Sequence, residues 1–364
     1  MKIGVVGLPN VGKSTLFNAL TKNRAESANY PFCTIEPNIG IVSVPDERVD
    51  YLASHYKAKS IVHATIEFVD IAGLVKGASS GEGLGNKFLS HIREVDAILH
   101  VVRAFDNSNI IHVEGGVDPI RDINTINLEL ILADLETVSK RYERTWKQSK
   151  QGTFKEYLEE LDLLKKIQAV LEDEKMANSI AFTEKERVIV KTFCLLTTKP
   201  VIYCVNLNEA EELEQNKHCK NIKELATTQG NSVIGISAKI EEEIGQIDDG
   251  GERDEIMQMY NLSTSGLDRL IVAAYKLLGL ISFLTAGEQE VRAWTIQNGT
   301  RAPQAAGRIH TDFERGFIRA EVFSFDDFKT QGNIDGVRKA GKLRSEGKDY
   351  IVKDGDVVLF RFNV

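Results

Sequence analysis

The chain has 364 residues, 42% of them apolar, enough for two or three domains with real cores, which excludes disorder along most of its length. A net charge of −8, from 45 Lys+Arg against 53 Asp+Glu, excludes a protein held to nucleic acid by bulk positive charge, so any contact with RNA has to be local. Cys33, Cys194, Cys204 and Cys219 form no C-x-x-C pair, so neither a disulfide framework nor a zinc site is expected, and a reducing, cytoplasmic setting is the simple reading.

In chain order, residues 2–7 read as a first strand without the cleavage pattern of a signal peptide. Further β-rich runs at 39–44, 64–70 and 97–103 alternate with helical stretches, the rhythm of an α/β sheet, and 200–205 and 232–236 read as its late strands. The chain between Phe105 and Lys199 is far longer than the single helix a parallel crossover needs, so something is inserted there. Two stripes at helical spacing, Leu128, Ile131, Leu132, Leu135, Val138, Tyr142 and then Phe154, Tyr157, Leu158, Leu161, Leu164, Leu171, predict an antiparallel helical hairpin turning near Gly152. Thr183 and Glu186 form the S/T-x-x-E pattern of a capping box that opens a third helix. Apolar positions from Leu267 to Ile281 also follow helical spacing and predict a buried amphipathic helix; Lys276, at about 2.5–3.5 kcal/mol on insertion scales, argues against a membrane span. Past residue 281 come strand-like segments at 292–296, 316–325 and 350–362, with Asp354-Gly355 as a tight turn, which predicts a separate small mixed α+β domain.

The chemistry concentrates near the N-terminus. Gly7-Leu8-Pro9-Asn10-Val11-Gly12-Lys13-Ser14 matches G-x-x-x-x-G-K-S/T between a strand and a helical pattern. Glycines there let successive N–H groups wrap phosphates, Lys13 reaches the β and γ phosphates, and the Ser14 hydroxyl ligates Mg2+. Asp70-Ile71-Ala72-Gly73 ends a strand, as the carboxylate-bearing loop of a P-loop fold should: Asp70 holds Mg2+ through water and the Gly73 amide senses the γ-phosphate. Thr34 lies between the first helix and the next strand, where such proteins keep a switch threonine on the metal.

Asn206-Leu207-Asn208-Glu209 follows the strand at 200–205, where GTPases carry N-K-x-D. Leu207 replaces the lysine and Glu209 the guanine-reading aspartate, so the main reason to prefer guanine is lost and adenine becomes the expected base, read by Asn206 and backbone near Leu207. Ser237-Ala238-Lys239 stands where a further base-contacting loop belongs.

GLPNVGKST (7–15), NYPFCTIEPN (29–38), FVDIAGLVKGASSGEGLGNKFL (68–89), NLNE (206–209) and IHTDFERGFIRAEV (309–322) together resemble the YchF or Obg-like ATPase family of translation-factor-related P-loop GTPases, over nearly the entire chain. The resemblance implies an α/β P-loop NTPase fold: a Ras-like, Obg-type G domain over residues 1–280, a helical coiled-coil insertion over 122–198, and a TGS domain of ubiquitin-like β-grasp form over 281–364. It implies ATP as substrate, Mg2+-dependent hydrolysis and association with ribosomes. Carried onto this chain, it puts Asn10, Val11, Gly12, Lys13, Ser14 and Thr15 on the phosphates, Ser14 and Thr34 on Mg2+, and Leu207 at the base.

Leu74 stands where Ras-like enzymes carry the glutamine that orients the attacking water, so intrinsic hydrolysis is expected to be slow, and Gly77, Gly81, Gly83 and Gly85 suit a mobile switch. His112 is the candidate to position that water, by its place after the strand at 97–103 and by the resemblance. Asn10 is a candidate to hold K+, which would neutralise transition-state charge. Lys140, Arg141, Arg144, Lys147 and Lys150 crowd the hairpin tip, and Arg292, Arg301, Arg308, Arg315 and Arg319 add positive charge to the last domain; both point to large-subunit ribosomal RNA. The expected protein is a monomeric, cytoplasmic ATPase without membrane contact, a nucleotide-dependent switch in translation or stress response. The alternatives are a conventional GTPase and a nucleotide-gated RNA- or ribosome-binding module with incidental turnover.

Overall fold

The computed structural model describes residues 1–364 apart from 23–37, 73–83, 114, 151–154, 210, 248–249, 261 and 364. Its strands are β1 (Lys2–Val6), β2 (Ile39–Ser43), β3 (Ser60–Val62), β4 (Thr65–Asp70), β5 (Ala97–Arg103), β6 (Val201–Asn206), β7 (Ser232–Ile236), β8 (Leu280–Ala286), β9 (Glu290–Gln297), β10 (Phe317–Ser324), β11 (Arg344–Glu346) and β12 (Asp356–Phe362). They form two six-stranded sheets, β2-β4-β1-β5-β6-β7 and β11-β10-β12-β8-β9-β3.

In the first sheet β4, β1, β5, β6 and β7 run parallel. Every residue of β5 and β6 is buried, as strands covered on both faces must be, and their apolar runs are what made them legible in the sequence. All the β-rich runs expected up to residue 236 are strands.

The insertion is helical. Pro119–Ser149 is a 31-residue helix with Pro119 in its first turn and the Asp118 carboxylate accepting the Arg121 N–H as N-cap, and Lys155–Glu172 packs against it. The turn expected near Gly152 lies outside the described residues. The buried face of the long helix runs through Ile123, Ile126, Leu130, Asp134 and Val138, so Leu128 and Leu132 of the expected stripe stand 40% and 43% exposed. Asp134 is the reason that spacing misled: a carboxylate occupies a core position and accepts from Leu196 N at 3.1 Å, Thr197 N at 2.7 Å and Thr197 Oγ1 at 2.6 Å. Burial pushes its carboxyl above the ordinary carboxylate range against the pull of the Thr197 hydrogen bonds. The capping box at Thr183 forms, with Thr183 N donating to Glu186 Oε2 at 2.7 Å and Glu186 N to Thr183 Oγ1 at 3.3 Å, and opens the helix Glu184–Lys191.

The apolar stretch expected as one helix to Ile281 is two elements. The helix Gly266–Leu277 ends, Gly279 takes φ +65°, and β8 begins at Leu280. A buried strand and a buried helix face share the same apolar composition, so periodicity did not separate them; the left-handed glycine does. Similarly only 356–362 of the expected segment 350–362 is a strand. Ile351 makes an isolated bridge to Arg301, and Asp354-Gly355 is a turn leading into β12.

Packing divides the chain into two units, Met1–Ile41 with Glu67–Leu270, and Val42–Ile66 with Ile271–Val364. The boundary expected at 280/281 keeps residues 42–66 with the N-terminal part, whereas their packing is with the C-terminal one. Hydrogen bonding explains the division seen: β3 pairs parallel with β9, Lys59 N donates to Glu288 O at 3.1 Å, and Arg48 bridges Asp46 and Asp354. Within this second unit a helix of small residues, with Ala302, Ala305 and Ala306 fully buried, lies close on the sheet against Phe283, Val322 and Phe360. Tyr51, His55 and Tyr56, from the helix Glu47–Tyr56, meet Phe325 and Phe328 in edge and stacked ring contacts.

Asp134→Ala leaves two buried backbone N–H groups without an acceptor and is expected to lower the unfolding free energy of the full chain by about 2–4 kcal/mol. Urea denaturation measures it, and a loss below about 0.5 kcal/mol would mean that these amides find another partner.

Candidate functional site

The loop from Gly7 to Gly12 leaves β1 and turns into the helix Lys13–Lys22, whose first turn carries no acidic residue. Two positive φ angles make the turn, Asn10 at 63° and Gly12 at 94°. At Gly12 a Cβ would meet Asn206 Nδ2 at 2.2 Å, so glycine is required by crowding as well as by conformation. The helix N-terminus directs unpaired N–H groups and the positive end of its dipole at whatever anion the loop holds.

A cleft of about 820 Å³ opens over this loop, a size that suits a nucleotide. Its lining brings together Asn10, Gly12, Lys13, Ser14 and Thr15 with Asn206, Leu207, Glu209 and Ser237, so nine of the residues named from sequence share one wall system. Val11 is buried beneath it. Lys13 Nζ forms an ion pair with Asp70 Oδ1 at the end of β4, and Ser14 is exposed. Thr34, Gly73 and Leu74 lie outside the described residues, as do Gly77, Gly81 and Gly83; Gly85 belongs to the helix Leu84–Glu94 instead of a loop.

At the base-reading end the geometry differs from expectation in detail. The Asn206 carboxamide is 6% exposed and already engaged: Nδ2 donates to Val11 O at 2.9 Å, and Oδ1 accepts from Ala238 N at 3.0 Å. It ties the phosphate loop to the loop at 237–239, and these two bonds leave one N–H and one lone pair of an amide that lines the cleft. The Leu207 N–H is likewise spent on Ile236 O at 2.9 Å, so Leu207 offers the cleft an apolar surface. Glu209 Oε1 is 2.5 Å from Lys239 Nζ, and that hydrogen bond holds the Lys239 ammonium above its ordinary value. Ser237 Oγ is buried with no hydrogen-bond partner among the described residues, an unspent polar atom in a residue that lines the cleft.

His112 is buried and turned to the long helix, its Nε2 2.9 Å from Asp122 Oδ2, while Arg121 Nη2 holds Asp122 Oδ1 at 2.8 Å. It does not line the cleft; its neighbours do. Asn10 Nδ2 donates to Ile111 O at 3.2 Å, and Phe105, Asn107 and Ile110 form a wall that the sequence reading missed. Nothing in the local pattern marks them, since the loop is short, irregular and mostly exposed. Two groups near the site are silent: burial drives the His100 imidazole down to about 3 and the Cys204 thiol up to about 12, so the one stays neutral and the other protonated. The basic hairpin cluster is thinner than its sequence suggests. Arg141 is bound to Glu160 at 2.7 Å and to Thr192 O at 2.8 Å, and Lys140 pairs with Glu136, which leaves Arg144, Lys147 and Lys150 exposed, the last above the Trp146 ring.

Comparison with known proteins places this geometry in a family. The model YchF-GTPase_C, described as a protein of unknown function (DUF933), matches residues 280–363, and the model described as a 50S ribosome-binding GTPase matches residues 2–133. The chain is 55% identical over 363 residues to the ribosome-binding ATPase YchF of Bacillus subtilis, covering 99% of each, and 46% identical to the Obg-like ATPase 1 of Rattus norvegicus, covering 100% of this chain and 92% of that one. It superposes on the YchF GTPase of Schizosaccharomyces pombe with a TM-score of 0.90 at 44% identity, over 99% of this chain and 97% of that one. A P-loop G domain joined to a YchF-type C-terminal region, matched end to end by relatives at this identity, means that the chain belongs to the YchF family.

Proposed function

We propose that this chain is a ribosome-binding ATPase, cleaving ATP to ADP and phosphate and using the two nucleotide states to alter its grip on the ribosome. The observation that carries the choice of base is Leu207 in the cleft lining, where GTPases carry a lysine, with Glu209 in place of the aspartate. No lysine stem covers the ring, and the longer Glu209 carboxylate has one oxygen turned to Lys239 of the facing loop. The names of the relatives, ATPases in bacteria and in vertebrates, support the same reading.

In this reading Asn10 to Thr15 wrap the phosphates, Lys13 neutralises charge on the β and γ oxygens, and the Gly73 amide senses the γ-phosphate. A hydroxyl at Ser14 and a carboxylate at Asp70, both oxygen donors beside the phosphate loop, fit Mg2+, with Thr34 as a further ligand. Bound there, Mg2+ would neutralise charge that develops on the phosphate oxygens. Ser237 supplies a polar contact to the nucleotide from its buried, unspent hydroxyl. Asn10 uses its Nδ2 on Ile111, so its amide oxygen is the group that would face K+. The Leu74 side chain has no polar atom to orient water, and we assign that task to His112, whose ring would have to leave Asp122 to reach the cleft.

The exposed Arg144, Lys147 and Lys150 and the C-terminal region, read as a TGS β-grasp domain, are the surfaces proposed for large-subunit ribosomal RNA. Among the described residues no helix is long and apolar enough to cross a membrane, and we take the protein to be a cytoplasmic monomer. One observation favours a second reading, a nucleotide-gated binding module with incidental turnover: the His112 ring is committed to Asp122 and stays out of the cleft lining.

Titration with Mg·ATP and Mg·GTP, with Lys13→Ala as control, is expected to give at least tenfold tighter ATP binding, about 1.4 kcal/mol, and equal or tighter GTP binding would reverse the base assignment. His112→Ala is expected to lower kcat roughly 10- to 100-fold with little change in KM, and an unchanged kcat would favour the binding-module reading. Charge reversal at Arg144 and Lys147 together should abolish co-sedimentation with ribosomes at moderate salt; retained pelleting would move the interface away from the hairpin.

A further inference from the structure

Arg103, the last residue of β5, is the largest fully buried side chain in the described chain, 1% exposed. A buried guanidinium is costly unless its N–H groups are satisfied, and the common solution is a carboxylate. Among the described residues its hydrogen bonds all go to backbone carbonyls of the loop that follows: Nε to Phe105 O at 3.2 Å, Nη1 to Ile110 O at 3.1 Å and Nη2 to Asn107 O at 3.2 Å. Its Cζ also lies 4.4 Å from the Phe105 ring centroid. The three residues whose carbonyls it holds are the same three that line the cleft from this side.

Besides the guanidinium, the loop is held by an exposed Lys217–Asp106 pair at 2.9 Å, by Asn216 Nδ2 donating to Ala104 O at 3.0 Å, and by two bonds of its own turn, Asn109 N to Asn107 Oδ1 and Ile110 N to Asn107 O. Asp106, Asn107, Ser108, Asn109 and Ile110 are exposed and belong to no strand or helix, so burial contributes almost nothing to their placement. Its two ends are attached to the site itself: Ala104 N donates to Asn206 O at 2.9 Å beside the base-reading loop, and Ile111 O accepts from Asn10 at the phosphate loop. Between those ends the guanidinium fork is the one group that holds Phe105, Asn107 and Ile110 together among the described residues. Its planar array of five donors spans three carbonyls at once, which neither a lysine nor an apolar residue of the same length reproduces.

We propose that Arg103 is a positioning residue for ATP: by clamping Phe105, Asn107 and Ile110 it sets the width of the cleft and thereby nucleotide affinity, without touching the nucleotide. This rests on the reading that the cleft holds ATP. A residue that acts on the wall alone leaves the phosphate loop and its lysine in place, so its loss raises KM more than it lowers kcat. A residue needed only for folding does the reverse, since a smaller active fraction lowers kcat at unchanged KM.

The experiment is steady-state ATP turnover of the full chain, together with equilibrium binding of a fluorescent ATP analogue, for the parent protein, Arg103→Met and Arg103→Lys. The expected result is a KM and a Kd raised at least tenfold in Arg103→Met, a larger change than any fall in kcat, and a smaller rise in Arg103→Lys. Unchanged constants overturn the proposal, as does a lowered kcat at unchanged KM. If Arg103→Met does not fold, Arg103→Lys is judged by the same split. Failure of the underlying reading shows separately, as a parent protein that binds no ATP or whose binding survives Lys13→Ala.

Discussion

Asn206 stands at the end of β6 with its carboxamide buried between two loops, accepting from Ala238 N and donating to Val11 O. Those loops meet nowhere in the sequence, yet the cleft exists only while they keep their spacing. The absence of a side chain at Gly12 follows from this contact, since the space a Cβ would need is filled by the Asn206 amide. So does the buried state of Leu207, whose N–H joins β6 to Ile236 of β7 and whose side chain becomes part of the cleft lining. A buried amide with both ends satisfied costs little and specifies a geometry, which an apolar contact of the same size would not.

Around that strut the cleft is walled by polar pairings that carry residues from distant segments. Lys13 and Asp70 close the phosphate end, Glu209 and Lys239 the opposite end, and Arg103 shapes the side between them. The exposed pair is worth little to stability and turns one of the two Glu209 oxygens toward Lys239. The loop that carries the wall continues to His112, and Asp122 beyond it opens the long helix of the insertion, so the two described features share one stretch of chain. Asp134, three turns further along that helix, anchors the insertion on the loop at 195–197.

The second unit obeys the same logic with different chemistry. Arg48 is held by Asp46 and Asp354, Asp354 also accepts from Ser282 N at 2.8 Å, and a Cβ at Gly355 would meet Arg48 Nη1 at 2.7 Å. Rings of Tyr51, Tyr56, Phe325 and Phe328 fill the space beside them. A segment from early in the chain is thereby part of a unit formed mainly by residues 271–364, which is why no shift in composition at one position could have marked the boundary.

By itself the sequence determined the phosphate loop, the strands of the first sheet, the helical insertion with its capping box, and the loss of the guanine-reading aspartate, because each is written in residues a few positions apart. Local pattern also carried its own errors: it ran one helix through Gly279 and set Leu128 and Leu132 in a core that Asp134 occupies. Tertiary structure alone decided that Asn206 joins two loops, that Glu209 meets Lys239, that Arg141 bonds inside the insertion, that Arg103 holds three carbonyls of the cleft wall and that residues 42–66 pack with the C-terminal unit. Several of these depend on partners far apart in sequence, 195 positions for Asn206 with Val11 and 306 for Arg48 with Asp354. A buried polar group is satisfied by whatever the fold brings within 3 Å or so, and short-range periodicity holds no record of what that will be.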